Sequence, residues 1–257
     1  MMNKVSEIKK TVNLVLAEKV AQAKPLGEIK DKVVIISGAS KGLGKAIADN
    51  LYNEGCKLTV FARTSKELAE AFPAYKYENI LVLEGDVSSE QSAKDIVAKT
   101  IEKFGHIDVV INNAGINLEK PLETTTSEEV DNILDTNIKG AINMTIAALP
   151  HLKSRKSGTI INIGSKISHN TNVGANKVLY ATTKYAIEGF SFALNKELKG
   201  SGVRVVCVIP GTINTFVSLN AGNFMSPDRV AQIIAMIIKF DDVDFESLVF
   251  KSKDQNI

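Results

Sequence analysis

Short apolar runs alternate with helical stretches along most of this sequence, and this alternation restricts the fold more than any other feature. The runs that predict strands cover residues 32–37, 57–61, 80–83, 107–111, 159–163, 203–209 and 247–250. The longer predicted helices cover residues 90–104, 127–152, 179–198 and 227–240, and helices also follow the first two runs. Short strands separated by helices are typical of βαβ units, whose strands form a parallel sheet. With right-handed crossovers, the sequence predicts an α/β fold: one doubly wound parallel sheet of about seven strands with helices on both faces.

The point at which the alternation begins predicts the domain organisation. A chain of 257 residues allows one or two domains. The alternation accounts for residues 30–257 as one domain of the Rossmann type. Before it, apolar residues recur at helical spacing from Val5 to Val20, until Pro25 and Gly27 end the pattern. We therefore expect residues 1–29 to form an N-terminal helical extension; a presequence is the alternative, although acidic residues are unusual in transit peptides.

Composition and charge argue against several other classes of protein. The chain has 31 Lys and Arg against 29 Asp and Glu, a formal net charge of +2, whereas a nucleic-acid binder typically has a basic face. No apolar run reaches the roughly 18–20 residues that span a membrane. Cys56 and Cys207 lie in or beside apolar runs, which predicts two buried thiols rather than a disulfide and favours a cytoplasmic location. His106, His151 and His169 lack metal-ligand spacing, so no metal site is expected.

A glycine-rich turn follows the first predicted strand. It reads Ser37-Gly-Ala-Ser-Lys-Gly-Leu-Gly44 and leads directly into a predicted helix. Glycines in this position allow a tight turn and a close approach of the backbone to a pyrophosphate, which then lies at the positive N-terminus of the helix. An ordinary glycine-rich connection is the alternative, but the strand–turn–helix context favours dinucleotide binding.

From this turn onward the sequence resembles the short-chain dehydrogenase/reductase (SDR) family, whose glycine spacing matches Gly38-xxx-Gly42-x-Gly44. The other family signatures follow in order: Asn112-Asn-Ala-Gly115, Asn137 in Asn-Ile-Lys-Gly140, Ser165, Tyr180-Ala-Thr-Thr-Lys184 and Pro210-Gly-Thr-Ile-Asn-Thr215. The resemblance covers roughly residues 30–250. It implies an oxidoreductase that interconverts a carbonyl and a secondary alcohol by hydride transfer.

The proposed chemistry depends on Tyr180 and Lys184, which are four residues apart and so face the same side of a helix. A phenol has a pKa near ~10, and a nearby ammonium lowers it, which brings the acid–base group nearer its working pH. The resemblance implies that Tyr180 donates a proton to the carbonyl oxygen and that Lys184 also holds the nicotinamide ribose. It further implies that Ser165 hydrogen-bonds the substrate oxygen and that Asn137 holds a water that relays protons to Lys184.

The sequence departs from the family pattern in two respects, the spacing between the catalytic serine and tyrosine and the residue at position 37. Ser165 lies 15 residues before Tyr180, a longer separation than is usual in the family, whereas Ser168 lies 12 residues before it. We favour Ser165 as the catalytic serine because it follows the predicted strand directly and loop length varies easily; Ser168 is the alternative. Ser37 replaces the usual threonine of the glycine motif, and its hydroxyl can make similar hydrogen bonds.

The second predicted strand indicates the cofactor. NAD-preferring enzymes place an acid after this strand, where it accepts hydrogen bonds from the ribose 2′-hydroxyl. Here the strand leads to Arg63, and Lys41 in the glycine turn adds a second positive charge, so the pair resembles NADP(H)-preferring members. Either cation alone could be an ordinary solvated surface charge.

The resemblance also implies which residues bind NADP(H). They are Gly38, Ser40, Lys41, Gly42, Leu43, Gly44, Arg63, Asp86, Val87, Asn113, Ala114, Gly115, Tyr180, Lys184, Pro210, Gly211 and Thr215. Substrate selection is expected in loop 166–179 and in an apolar lid, residues 216–226, but neither segment selects one carbonyl or alcohol substrate. Family members commonly form homodimers or homotetramers through their long helices, here near 127–152 and 179–199.

A protein of another class could use the same fold. A dinucleotide-sensing or scaffold protein is the alternative to an enzyme, since fold alone does not determine function. Such a protein has no need of the set Asn137, Ser165, Tyr180 and Lys184, so the presence of all four favours the enzyme. No nucleic-acid or membrane partner is expected.

Overall fold

The computed structural model describes residues 27–73, 79–169, 174–214 and 224–253. In chain order, its strands are β1 (Val33–Ser37), β2 (Lys57–Ala62), β3 (Ile80–Glu84), β4 (Val109–Asn112), β5 (Gly158–Ile163), β6 (Val203–Pro210) and β7 (Ser247–Phe250). Its helices are α1 (Gly42–Asn53), α2 (Ser65–Ala71), α3 (Glu90–Phe104), α4 (Ser127–Leu134), α5 (Gly140–Arg155), α6 (Val178–Glu197) and α7 (Pro227–Lys239). A π-helical turn, Asp135–Lys139, joins α4 to α5, and short 3₁₀ helices cover Leu122–Thr124 and Lys166–His169.

All seven strands form one parallel sheet in the order β3-β2-β1-β4-β5-β6-β7. One hydrophobic core lies between the sheet and helices α1 and α7, and a second lies between the opposite face and helices α3, α5 and α6. The doubly wound fold predicted from the alternation is therefore confirmed.

Strand β1 shows why the central strands are continuous apolar runs in the sequence. All five of its residues are buried. Val34 and Ile36 pack into the core beside α1, whereas Ile35 packs into the core beside α3, because successive side chains point to opposite faces of a sheet. Both faces are covered by helices, so both sets of side chains are apolar.

Two predicted elements differ from the structure. The single helix predicted over 127–152 is interrupted by the π-helical turn and extends to Arg155. Apolar periodicity did not reveal this turn, because the helical pattern of apolar residues continues in the helices on either side of the turn. The fourth strand begins at Val109 rather than at 107, since the Ile107 amide donates to His151 Nε2 at 3.2 Å instead of to a neighbouring strand.

The predicted N-terminal extension, residues 1–29, lies largely outside the described residues, which begin at Gly27. The Gly27 amide donates to the Lys239 carbonyl at 3.0 Å, at the end of α7. Ile29 is buried in the core beside α1 and α7. The chain therefore enters the domain across the end of α7.

The two cysteines are free and buried, as predicted. Burial raises the pKa of the Cys56 thiol to about 12 and that of the Cys207 thiol to about 11. Both thiols therefore stay protonated at neutral pH and pack as small apolar groups. Within the part of the chain that the structure describes, no helix has the length and apolar character needed to cross a membrane.

Candidate active site

A cleft of about 1220 Å³ opens beyond the carboxyl ends of β1 and β4, where the strand order reverses. Ligands of doubly wound sheets bind at this point because the loops diverge there. The structure brings most of the predicted site residues together in the lining of this cleft: Gly38, Ser40, Lys41, Gly42, Leu43, Gly44, Arg63, Val87, Asn113, Ala114, Gly115, Ser165, Tyr180, Lys184, Pro210 and Gly211.

Other predicted site residues do not line the described cleft. Asp86 is turned toward its own loop, where its carboxylate accepts from the Ser88 amide at 2.9 Å and the Ser88 hydroxyl at 2.8 Å. Thr215 and most of the predicted lid, 216–226, lie outside the described residues. Asn137, one of the four predicted catalytic residues, is not part of the lining either.

The glycine turn packs against the loop after β4 so closely that side chains are excluded. Gly38 has a φ of +64°, and a Cβ there would lie 2.8 Å from the Ala114 Cα. A Cβ on Gly44 would overlap the Gly38 carbonyl and the Asn113 amide. The glycines therefore let two backbone segments and the start of α1 meet at the edge of the cleft.

Hydrogen bonds hold this turn in place. The Asn113 side chain donates to the Ser37 carbonyl at 2.9 Å and to the Gly38 carbonyl at 3.1 Å. The Ser37 hydroxyl accepts from the amides of Asn113 and Ala114, both at 3.0 Å. Serine thus makes the bonds expected at this position in place of threonine.

Gly44→Ala should test this packing directly. We expect the melting temperature to fall by about 5 °C, because the added methyl must displace backbone and a few kcal/mol of overpacking lowers Tm by several degrees. Calorimetry would measure the change. Gly115→Ala, in the loop after β4, is the matched control, since its Cβ would come no nearer than 3.4 Å to any other group, an ordinary contact, and it should leave Tm nearly unchanged. Equal effects of the two variants would contradict this account.

The predicted cations lie at one end of the cleft together with an acid that the sequence did not single out. Lys41 and Arg63 both line this end, and both are exposed. Glu67, in the first turn of α2, lines it too and accepts a hydrogen bond from Lys41 at 3.1 Å. Helical spacing alone could not show that this carboxylate faces the glycine turn.

Tyr180, Ser165 and Lys184 lie together at the other end of the cleft. The hydroxyls of Ser165 and Tyr180 are hydrogen-bonded to each other. Lys184 is buried, its Nζ lies 5.7 Å from the centre of the Tyr180 ring, and it donates to the Ile163 carbonyl at 2.9 Å. Ser168, the alternative serine, is buried and donates to the Ser165 carbonyl at 2.8 Å. It therefore supports the loop that carries Ser165.

The expected lowering of the Tyr180 pKa by Lys184 is wrong for this structure. Burial raises the pKa of Tyr180, and the hydrogen bond from Ser165 offsets only part of that rise. Burial also lowers the pKa of Lys184 to about 8, so its amine loses charge readily. The geometry explains why Lys184 does not offset the rise at Tyr180, because its ammonium donates to the Ile163 carbonyl rather than to the phenol oxygen.

Lys184 should make stability depend on pH. Because its folded-state pKa of about 8 lies below its ordinary 10.5, the unfolded chain binds more protons between these values, so stability rises with pH there. Below this window both states are protonated and the contribution is constant. Relative to Lys184→Met, the wild type should gain about 1 kcal/mol of unfolding free energy between pH 7 and 9. Urea unfolding of both proteins would measure this, and a flat or falling difference would contradict it.

Asn137 lies in the π-helical turn between α4 and α5. Its side-chain oxygen accepts from the Ile116 amide at 2.8 Å, and its side-chain nitrogen donates to the Ile116 carbonyl at 2.9 Å. The same nitrogen donates to the Thr183 hydroxyl at 3.1 Å, one residue before Lys184. The side chain therefore ties the loop after β4 to helix α6. Sequence reasoning found Asn137 but missed these partners, which are distant in the chain.

Two further lysines line the cleft near Ser165 and Tyr180. Lys166 directly follows Ser165, and Lys177 lies three residues before Tyr180. The sequence places both in the loop expected to select the substrate, but it did not indicate which side chains face inward.

A glycine turn at one end of a cleft and a Ser–Tyr–Lys cluster at the other define a class of α/β oxidoreductase. The model of the short chain dehydrogenase family matches residues 32–224. The chain therefore belongs to the short-chain dehydrogenase/reductase family. Members of this family are oxidoreductases that use a nicotinamide dinucleotide, act on small molecules and commonly form oligomers.

Similar proteins agree with this family. An uncharacterized oxidoreductase of Staphylococcus saprophyticus is 37% identical over 191 residues, which cover 73% of this chain and 81% of that protein. Another, from Staphylococcus epidermidis, is 35% identical over 190 residues, covering 74% of this chain and 81% of that protein.

Solved structures are also similar. Serine dehydrogenase from Escherichia coli has a TM-score of 0.78 and 27% identity, covering 88% of this chain and all of that one, 100%. The alcohol dehydrogenase from the archaeon Thermococcus sibiricus, complexed with 5-hydroxy-NADP, has a TM-score of 0.76 and 28% identity, covering 89% of this chain and 99% of that one.

Proposed function

We propose that this protein is an NADP(H)-dependent oxidoreductase that interconverts a carbonyl compound and a secondary alcohol. The observation that carries the proposal is the cluster in the cleft lining, where Ser165 and Tyr180 share a hydrogen bond and the buried Lys184 lies beside the Tyr180 ring. Such a cluster would supply one reacting oxygen with a proton donor, a second hydrogen-bond partner and a nearby amine.

The residues around the cleft fit a nicotinamide dinucleotide. The close packing at Gly38 and Gly44 leaves no room for a side chain at those two positions, and a turn free of side chains there lets its backbone approach a pyrophosphate closely. Arg63 and Lys41 would hold a 2′-phosphate, and the solved structures of a similar alcohol dehydrogenase and of a closed serine dehydrogenase carry NADP-type cofactors. When bound, the cofactor supplies the hydride.

In the reduction direction, the protein's residues donate the proton and bind the carbonyl oxygen. Tyr180 donates its phenol proton to the carbonyl oxygen as the carbon–hydrogen bond forms, so the products are an alcohol and the oxidised cofactor. Ser165 holds the same oxygen and orients it for proton transfer. Lys184, whose pKa of about 8 lets it gain and lose a proton near neutrality, would return a proton toward Tyr180. Asn137 positions this group through Thr183.

A dinucleotide-sensing or scaffold protein on the same fold is the other candidate. It predicts binding of the dinucleotide without turnover. Fluorescence titration with NADPH and NADH, followed by turnover on a panel of aldehydes, ketones and oxo acids, separates the two functions. The proposed enzyme binds NADPH more tightly than NADH and reduces at least one carbonyl. Binding with no turnover of any compound would favour the sensor.

We further propose that two copies of the chain pair through helices α5 and α6. Large apolar side chains are exposed on both helices: Ile146 at 56%, Phe192 at 53% and Tyr185 at 51%. Both helices cover the same face of the sheet, so these side chains could form one interface. The double substitution Ile146→Glu and Phe192→Glu should convert a dimer or tetramer to smaller species in light scattering after size exclusion. A monomeric wild type would contradict the proposal.

A further inference from the structure

An acidic side chain, Glu67, lies among the donors that a 2′-phosphate would need. Its carboxylate accepts from the Lys41 ammonium at 3.1 Å and from the Ser40 hydroxyl at 3.1 Å. These hydrogen bonds hold the pKa of Glu67 below its usual value, so it is ionised at neutral pH. One carboxylate thus connects the glycine turn to α2 at the end of the cleft that contains Arg63.

This ion pair is easily exchanged. The Lys41 side chain is 79% exposed and that of Glu67 is 43% exposed, and pairs this open to water contribute little stability. A phosphate could therefore replace Glu67 as the hydrogen-bond acceptor of Lys41 and Ser40, but it would then lie beside the negative charge of Glu67. Like charges at such distances repel, and salt screens the repulsion.

We propose that Glu67 is a specificity-determining residue that competes with the 2′-phosphate for Lys41 and Ser40. Its charge weakens NADP(H) binding while leaving NAD(H), which has a hydroxyl there, nearly unaffected. The preference for NADP(H) set by Arg63 and Lys41 is thereby reduced. This inference rests on the proposed function, because it needs the cofactor to bind in this cleft.

Glu67→Gln tests the inference, since it removes the charge and keeps the shape. Titration by nicotinamide fluorescence should give an NADPH Kd about three- to tenfold lower than wild type at low salt, with NADH changed less than about twofold. The gain should shrink at high salt. Glu70→Gln is the matched control: it makes the same charge change on the same helix but does not line the cleft, and it should alter neither Kd.

Two results distinguish failure of the inference from failure of the function. An NADPH Kd that is unchanged or weaker in Glu67→Gln, with normal binding by wild type, would overturn the inference alone. A wild type that binds neither dinucleotide would overturn the proposed function and the inference with it.

A separate observation concerns the substrate: the opposite end of the cleft is positively charged. Among the described residues that line the cleft, the single acid is Glu67, at the far end. Lys177 Nζ lies 3.5 Å from Glu119, whereas Lys166 forms no ion pair within the described part of the chain. Partial burial and the nearby charge of Lys251 lower the pKa of Lys166, as expected for an ammonium without a counter-ion.

Two segments that adjoin the cleft residues in the chain carry no carboxylate side chain. The sequence segments 170–173 and 215–223, which adjoin the described cleft residues in the chain, contain no Asp or Glu. Lys166 immediately follows Ser165, so a charge on Lys166 is close to the oxygen that Ser165 would hold. A cleft lined by charge of one sign concentrates ligands of the other sign.

We infer that the substrate is an oxo acid or hydroxy acid whose carboxylate pairs with Lys166. This also rests on the proposed function, which supplies the reacting carbonyl or alcohol. A neutral substrate would leave the charge of Lys166 unbalanced in the bound complex, whereas a carboxylate would pair with it.

Matched pairs of short hydroxy acids and their methyl esters, oxidised with NADP⁺, test the substrate class. Wild-type kcat/KM should be at least about tenfold higher for the best acid than for its ester. Lys166→Gln should lower kcat/KM for the acid about tenfold relative to wild type, mainly by raising KM. Its kcat/KM for the ester should stay within about twofold of the wild-type value. Lys153→Gln, an exposed cation outside the cleft lining, is the control and should change neither.

The possible failures are again distinct. Equal use of acids and esters by the wild type, or an equal loss of both in Lys166→Gln, would overturn the inference and leave the proposed function standing. Turnover of no acid, ester or neutral carbonyl would overturn the proposed function itself.

Discussion

Tyr180→Phe is expected to lower kcat by about a thousandfold, because a positioned proton donor contributes 10²–10⁴-fold to a proton-transfer step. The change removes one oxygen and keeps the ring beside Lys184 in the cleft lining. NADPH binding should stay within about twofold of wild type, since the loss falls on the chemical step rather than on binding. Steady-state assays of NADPH consumption with the best carbonyl from the panel measure kcat, and fluorescence titration measures the NADPH Kd.

Tyr185→Phe is the matched control for this variant. Tyr185 is on the same helix and does not line the cleft, and the substitution keeps the ring that the proposed pairing of α5 and α6 would use, so it removes one oxygen outside the cleft. We expect its kcat to stay within about twofold of wild type, the usual range for a surface change away from a site. A Tyr180→Phe enzyme with full turnover would refute the assignment of the proton donor.

Arg63→Ala should weaken NADPH binding by about tenfold to a hundredfold, because hydrogen bonds to a charged group contribute about 1.5–3 kcal/mol. NADH lacks the 2′-phosphate, so its Kd should change by less than about twofold. Fluorescence titration of both dinucleotides gives the change in their ratio. If the protein instead prefers NADH, Arg63→Ala would change the Kd of neither dinucleotide appreciably.

Lys66→Ala provides the control for Arg63→Ala. Lys66 is an exposed cation in α2 that does not line the cleft. Its loss changes the net charge of the chain equally, so any general electrostatic effect would appear in both variants. Equal weakening of NADPH binding by the two substitutions would contradict a direct contact between Arg63 and the 2′-phosphate.

The features that the sequence and the structure share are those that depend on neighbours in the chain. The glycine turn after β1 is recognisable because a strand, a tight turn and a helix follow one another within a few residues. Tyr180 and Lys184 are recognisable because helical spacing places them on one face. Buried parallel strands are continuous apolar runs, so the order of elements could be predicted as well.

The features that could not be predicted depend on contacts between distant segments. The pairing of Glu67 with Lys41 joins α2 to the glycine turn, and no local pattern specifies it. The two hydrogen bonds between Asn137 and the Ile116 backbone accompany a π-helical turn, which apolar periodicity does not reveal. The pKa of Tyr180 was predicted in the wrong direction because spacing gives proximity to Lys184 but not the depth of burial.

Transfer of deuterium from NADPH deuterated at nicotinamide C4 tests the central claim most directly. The reaction is run on the carbonyl panel with wild type and with Tyr180→Phe, and the alcohols are examined by mass spectrometry. We predict one deuterium on the carbinol carbon of at least one product with wild type, and about a thousandfold slower formation with the variant. A wild type that binds NADPH yet transfers deuterium to no carbonyl would contradict the claim that this protein is an NADP(H)-dependent carbonyl–alcohol oxidoreductase.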